Sequence, residues 1–276
     1  MPTTLRCGRY ILDLRRPKLM GIENVTTDSF SGDGRRGDLA GAIAQAQGMI
    51  EAGADLIDIG GESSRPGAEP VPLQQELDAV LPVLEALREC GVPLSVDTVK
   101  PEVMREALQA GADLVNDISA LSAGGAMDVV AASPVAVCLM HMQGQPRSMQ
   151  LDPHYGDVVA EVGDYLEERA RAAEAAGIGR DRIMIDPGFG FGKTLAHNIA
   201  LLRHADRIVA RGWPVLAGMS RKSMLGGLTG RPVGEREFAG AAAIVLAAER
   251  GVRLFRVHDV AAARDALAVW AAVADS

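Results

Sequence analysis

The sequence predicts an α/β fold, and within that class a single (β/α)8 barrel. The first observation behind this is a repeat: a helical pattern, a glycine, then a short apolar run. It recurs in EAGADLIDIGG, ECGVPLSVDT, QAGADLVNDIS, AAGIGRDRIMIDPG, ARGWPVLAGMS and ERGVRLFRVHD. The second is a pair of further apolar runs, KLMGIEN at Lys18–Asn24 and VAVCLMH at Val135–His141, which bring the strands to eight. The third is length, since 276 residues suit one such barrel. An open doubly wound sheet is the other way to arrange the same units.

Taken in order, residues 1–17 do not fit the repeat. They are expected to form a short hairpin-like extension that plugs the barrel bottom, ahead of a barrel domain over residues 18–276. The apolar runs are continuous and rich in Val, Ile and Leu, as parallel strands covered on both faces are. Gly53, Gly91, Gly111, Gly177, Gly212 and Gly251 suit the left-handed position just past a helix end. Helices are expected over Asp38–Ala52, Pro101–Ala110, Asp157–Ala176 and Glu235–Arg250, with Pro101 in a first-turn position. Pro82 lies inside the second helical pattern and predicts a kink or a break there.

The net charge of −8 argues against a general affinity for nucleic acid or an anionic membrane. An anionic ligand would need local positive charge. Cys7, Cys90 and Cys138 have no metal-type spacing, and Cys138 reads as a core residue. So sparse and odd a set suits a reducing, cytoplasmic setting. No apolar stretch approaches the length of a membrane span or a secretory leader.

In such a barrel the active site lies at the C-terminal ends of the strands. Read there, the strands present Asn24, Glu62 to Arg65, Asp97, Asn116 with Asp117, His141, Asp186, a loop with Ser220 to Lys222, and Arg256 with His258. An uncompensated polar group at the end of a buried strand costs roughly 2–7 kcal/mol, so this pattern asks for partners or a ligand. Plainer roles stand beside the functional ones. Asp97 or Thr98 could cap the following helix. At least one of Asn116 and Asp117 is expected to close a turn. Asp186 precedes Pro187 and Gly188, an ordinary turn setting. Arg256 either points into the barrel mouth or pairs with Asp259. His141 reads more readily as a core histidine than as a reacting one, and His154, His197 and His204 as structural or exposed.

The stretch GFGFGKT at Gly188–Thr194 ends like a phosphate loop, but Pro187 stands where the first glycine would be needed. Its glycines instead allow close backbone approach, with Phe189 and Phe191 available to cover a flat ring. No metalloprotease, CxxC or nucleophile-elbow motif is present. Carboxylates with an amide suit a planar heterocycle, and arginine, lysine and histidine suit an anionic leaving group. Together they fit a transfer that expels phosphate or diphosphate.

With these residues in hand the sequence resembles the dihydropteroate synthases, a family of pterin-binding barrel enzymes. The resemblance rests on MGIENVTTDSFS, DIGGESSRPGAEPV, SVDTVKPEV, NDISAL, CLMHMQG, DPGFGFGK, GMSRKSMLG and RVHDV, in this order from about Met20 to Asp259. It implies a (β/α)8 barrel that joins 6-hydroxymethyl-7,8-dihydropterin diphosphate to 4-aminobenzoate, with Mg2+, in folate biosynthesis. By the same resemblance Asp97, Asn116, Asp186 and Lys222 hold the pterin, with Met140 and Phe191 packed near its ring. Asn24 contributes to the metal site and, with Arg65, Arg256 and His258, to the diphosphate site. Phe30, Ser64, Arg65, Pro66, Lys222 and Ser223 border the aminobenzoate pocket. Asp97, Lys222, Arg256 and His258 are the residues expected to act on the reacting groups. Sulfonamides, as mimics of 4-aminobenzoate, are expected to compete, and a homodimer is the family's common state.

Two loops depart from the family's usual pattern: in the first, after Asn24, Thr27 stands where a proline is common and Ser31-Gly32-Asp33-Gly34 reorders the tail, and in the second, after Gly60, Ser64 stands where a threonine is common. Both bear on loop behaviour and pocket shape. A corrinoid-linked methyltransferase would share the pterin carboxylates but has less use for SSRPG, SRKS and RVHD together. A catalytically idle pterin-binding relative would be expected to have lost site residues.

Overall fold

The computed structural model describes residues 2–25, 39–63 and 67–274. It opens with a hairpin, β1 (Thr4–Cys7) paired antiparallel with β2 (Tyr10–Asp13). Eight parallel strands follow: β3 (Lys18–Asn24), β4 (Leu56–Gly60), β5 (Leu94–Asp97), β6 (Leu114–Asp117), β7 (Ala136–Met140), β8 (Ile183–Asp186), β9 (Leu216–Ala217) and β10 (Leu254–Val257). Each pairs with the next in chain order, and β10 returns to β3 with Arg256 opposite Met20. Between β8 and β9 the ring is completed by a parallel bridge from Ile185 to Val215. The sheet is therefore a barrel, as expected, and not an open doubly wound sheet.

The principal helices stand between the strands and around them: α1 (Leu39–Glu51), α2 (Leu73–Leu87), α3 (Pro101–Ala110), α4 (Ala126–Ala131), α5 (Val158–Ala175), α6 (Leu195–Arg203), α7 (Ala205–Val209), α8 (Ser223–Thr229), α9 (Glu237–Glu249) and α10 (Val260–Ala274). The six glycines expected past helix ends all have positive φ, between 88° and 112°. Of the kink or break expected at Pro82, the break does not occur, because α2 runs through it as one helix. Proline removes the bond to the carbonyl of Asp78, and Asp78 is exposed, so water can take that bond's place.

Every strand alternates between two cores. Outward residues such as Leu19, Ile57, Val96, Val115, Val137 and Ile185 pack against the helices. Inward residues at the lower ends, among them Met20, Leu56, Leu114, Met184, Leu216 and Leu254, form a second cluster with Leu5, Cys7, Leu12 and Leu14 of the hairpin segment. The hairpin thus packs against the lower interior. Its turn is tied there by Arg9, whose backbone and guanidinium both donate to the buried Asp113. Cys138 belongs to this inner cluster and is fully buried.

Candidate active site

Two residues above several of the apolar inward positions the same parity turns polar, as from Leu114 to Asn116, Met184 to Asp186 and Leu254 to Arg256. Asn24, Asp97, Asn116, Met140, Asp186 and Arg256 line one cavity of about 460 Å³ at the C-terminal ends of the strands. Phe191, Lys222, Ser223 and His258 complete the set of expected residues around it. The remaining four, Phe30, Ser64, Arg65 and Pro66, lie outside the described residues.

The polar part of the cavity is built on a buried network. Arg256 Nε donates to Asp58 Oδ2 at 2.6 Å and its Nη2 to Asp97 Oδ2 at 2.8 Å. Asp58 is fully buried in the middle of β4 and also accepts from Ser95 Oγ at 2.5 Å and Asn116 Nδ2 at 3.0 Å. Arg256 therefore points into the barrel and not to Asp259, which caps Ala262 N instead. Burial alone would lower the Arg256 guanidinium, but Asp58 and Asp97 outweigh it and hold the group above its ordinary value. Burial pushes the Asp97 carboxyl up to about 7, with Arg256 opposing and Asp58 adding to the rise.

Asp186 accepts from Gly188 N at 2.7 Å. Burial raises its carboxyl, and Lys222 acts against that rise. The same burial lowers the Lys222 ammonium to about 8, countered by Asp186. Lys222 Nζ sits 4.6 Å from the centre of the Phe191 ring and donates to the carbonyl of Phe189. The apolar part of the cavity is a cluster of Met140, Met149 and Phe191, with Ile118 and Met142 against it. A slab-like apolar surface beside carboxylates, an amide and cations suits a flat heterocycle with an anionic substituent.

The loop Gly188–Lys193 shapes this apolar surface. Gly188 has φ +65°, and a Cβ there would fall 2.0 Å from the carbonyl oxygen of His141, so only glycine fits. Gly190 also has positive φ. It turns the chain between the two phenylalanines, which corrects the expectation for Phe189. That ring is buried among the strands and helices, and Phe191 alone of the pair lines the cavity. Lys193 is buried, and its Nζ lies 3.0 Å from His141 Nδ1 and donates to the carbonyls of Gly188 and Phe191 at 3.0 and 2.9 Å. Burial, helped by Lys193, lowers the His141 imidazole to about 3, so it stays neutral behind the pocket. Thr194 and His197 form a capping box on α6, as helix termini require, and hold no phosphate loop.

The chain's comparisons agree on one family. A model described as pterin binding enzyme matches residues 20–258. The dihydropteroate synthase of Haemophilus influenzae is 47% identical over 275 residues, 99% of each chain. The chain belongs to the dihydropteroate synthase family.

Among solved members of that family, the Xanthomonas albilineans dihydropteroate synthase with 4-aminobenzoic acid is 53% identical, with a TM-score of 0.93 and all of both chains covered. The Burkholderia cenocepacia dihydropteroate synthase complexed with 7,8-dihydropteroate is 50% identical, with a TM-score of 0.91 over 99% of this chain and 97% of that one. Against this background the turn-closing alternatives resolve singly. Asp117 closes the turn after β6, accepting from Ser119 N and Leu121 N, and Asn116 is left to face the cavity. Neither Asp97 nor Thr98 caps α3; Thr98 Oγ1 donates to the buried Glu76 at 2.6 Å. Lys100 joins Glu76 to Glu62, which anchors the start of the second loop and accepts from Val71 N at 3.1 Å. Two contributors had no terminal position to betray them, Asp58 in mid-strand and Met149 in a loop, whereas Ser220 of the expected strand-end loop places its Oγ 3.0 Å from His258 Nδ1.

Proposed function

We propose that this chain condenses 6-hydroxymethyl-7,8-dihydropterin diphosphate with 4-aminobenzoate, releasing 7,8-dihydropteroate and diphosphate. The observation that carries this is one cavity uniting Asp97, Asn116 and Asp186 with Phe191, Lys222, Arg256 and His258. The carboxylates and the amide match the N–H groups and ring nitrogens of a pterin, and Lys222 lies over Phe191 where a ring carbonyl or nitrogen can accept from it. Met140 and Phe191 cover the ring. Arg256 and His258, with Asn24 and Arg65, receive the diphosphate. Ser223 and Lys222, with Phe30, Ser64, Arg65 and Pro66, border the aminobenzoate pocket, where sulfonamides compete.

In the reaction the CH2–O bond breaks and its electron pair leaves with diphosphate. The carbon's positive charge spreads into the pterin ring, which the Asp97 carboxylate stabilises. The amine of 4-aminobenzoate then bonds to the methylene and loses a proton. On the protein side Asn24 offers a single neutral amide, and no group of three or more His, Cys, Asp or Glu side chains that could hold a metal is found among the described residues. Such a donor set suits an Mg2+ ion held by Asn24 and largely by the substrate's own phosphate oxygens. Bound there, Mg2+ would neutralise charge on the departing diphosphate.

Incubation with both substrates and Mg2+, followed by chromatography, is expected to yield dihydropteroate. Pterin binding without product would instead favour an idle pterin-binding relative. Methyl transfer from methyltetrahydrofolate would favour the corrinoid-linked reading. No helix among the described residues is long and apolar enough to cross a membrane, which accords with a cytoplasmic enzyme. A homodimer is supported by exposed Phe238 and Leu246 on α9 and Val269 on the adjoining α10.

A further inference from the structure

We infer that Asp58, which lies below the cavity and does not line it, is a positioning residue that fixes both the amide orientation of Asn116 and the aim of Arg256. The inference rests on the proposed pterin reaction. Asp58 is an acceptor, fully buried, facing inward from β4. Its Oδ2 takes two donors, Asn116 Nδ2 at 3.0 Å and Arg256 Nε at 2.6 Å, and its Oδ1 takes Ser95 Oγ at 2.5 Å. An ionised carboxylate cannot donate, so it selects one of the two amide orientations open to Asn116. With Nδ2 committed downward, Oδ1 is the atom presented to the cavity, and Asn116 meets the ligand as an acceptor of a ring N–H. The same oxygen anchors one edge of the Arg256 guanidinium, leaving its Nη2 to reach Asp97 at 2.8 Å. A single carboxylate thereby aligns groups from β5, β6 and β10, three separate strands of the ring.

Two substitutions separate this role from simple packing. Asp58→Val keeps a similar volume and supplies no acceptor, whereas Asp58→Asn keeps an acceptor and loses the charge. Calorimetry with 6-hydroxymethyl-7,8-dihydropterin is expected to show binding weakened at least about tenfold in Asp58→Val, with Asp58→Asn in between. The Michaelis constant for 4-aminobenzoate at saturating pterin diphosphate should stay within about twofold in both. In Asp58→Asn the acid side of the pterin-affinity profile should also move to lower pH, since Asp58 adds to the rise at Asp97. Folded variants with pterin affinity like the parent's, or with equal losses for both substrates and an unmoved pH profile, would overturn the inference. If neither variant folds, Ser95→Ala decides: it removes one donor to Asp58 and should weaken pterin binding about two- to fivefold, and unchanged affinity would overturn the inference. A parent protein that binds no pterin would instead undo the functional reading.

Discussion

The lower and upper ends of the barrel are made by the same strands, on the same inward parity, two residues apart. At the lower end Leu114, Met184 and Leu254 are fully buried in one cluster with the hairpin. One step along each strand Asn116, Asp186 and Arg256 line the cavity. The lower layer gains stability from apolar burial, and the upper layer gives some of it back by burying charge. Stability and chemistry are thus divided here by depth along a strand rather than by domain or by loop.

The sharpest way to break that division is to empty the lower layer. Leu254→Ala should cost about 2–5 kcal/mol in denaturant unfolding while turnover stays within about twofold. A comparable loss of turnover would mean the two layers are mechanically coupled. The reciprocal change is Asp186→Asn, which turns an acceptor into a mixed donor and acceptor. Calorimetry should show pterin binding weakened about a hundredfold, roughly 2.7 kcal/mol, with the unfolding midpoint nearly unchanged. Unaltered affinity would remove Asp186 from the pterin clamp.

A smaller effect comes from protons. Asp97 titrates near 7 in the free protein and Lys222 near 8. Pterin affinity should therefore fall as pH drops through about 7, where Asp97 takes up a proton, and fall again above about 8, where Lys222 loses one. A flat calorimetric profile from pH 5 to pH 10, about two units beyond each midpoint, would mean that neither charge is used.

The smallest expected effect lies on the opposite parity. Glu23 faces outward near the top of β3, with Oε2 buried and unpartnered among the described residues. Burial raises its carboxyl from 4.5 to about 7, so the folded chain keeps a proton that the unfolded chain releases. Stability is then lost as pH rises from 4.5 to about 7. Glu23→Gln should stabilise the fold by about 1–2 kcal/mol at pH 8 and by almost nothing at pH 5, read by thermal unfolding at both. Equal gains at the two values would show that ionisation is not the cause.

The barrel was legible because its punctuation is local: helix-ending glycines and continuous apolar runs need no knowledge of partners. Most of the site was legible for a related reason, since polar residues at the ends of apolar runs stand out from their neighbours. Asp58 did not, because one carboxylate inside LIDIG reads as a surface residue of an alternating strand until the barrel closes around it. Phe189 and Phe191 could not be told apart in a symmetrical GFGFG, where backbone torsions decide which ring turns inward. Pro82 does not break its helix, where the bond it removes is to Asp78, an exposed residue that water can reach.

Lys193 has a consequence for the pocket as a material object. Its ammonium gathers an imidazole nitrogen and the carbonyls of Gly188 and Phe191 around one charge. Here the cation is tethered to the loop it organises, so the wall behind the ring is cast before any ligand or salt arrives. Its stiffness should fall as pH rises through about 7, the value to which burial lowers this lysine, and be little affected by ionic strength.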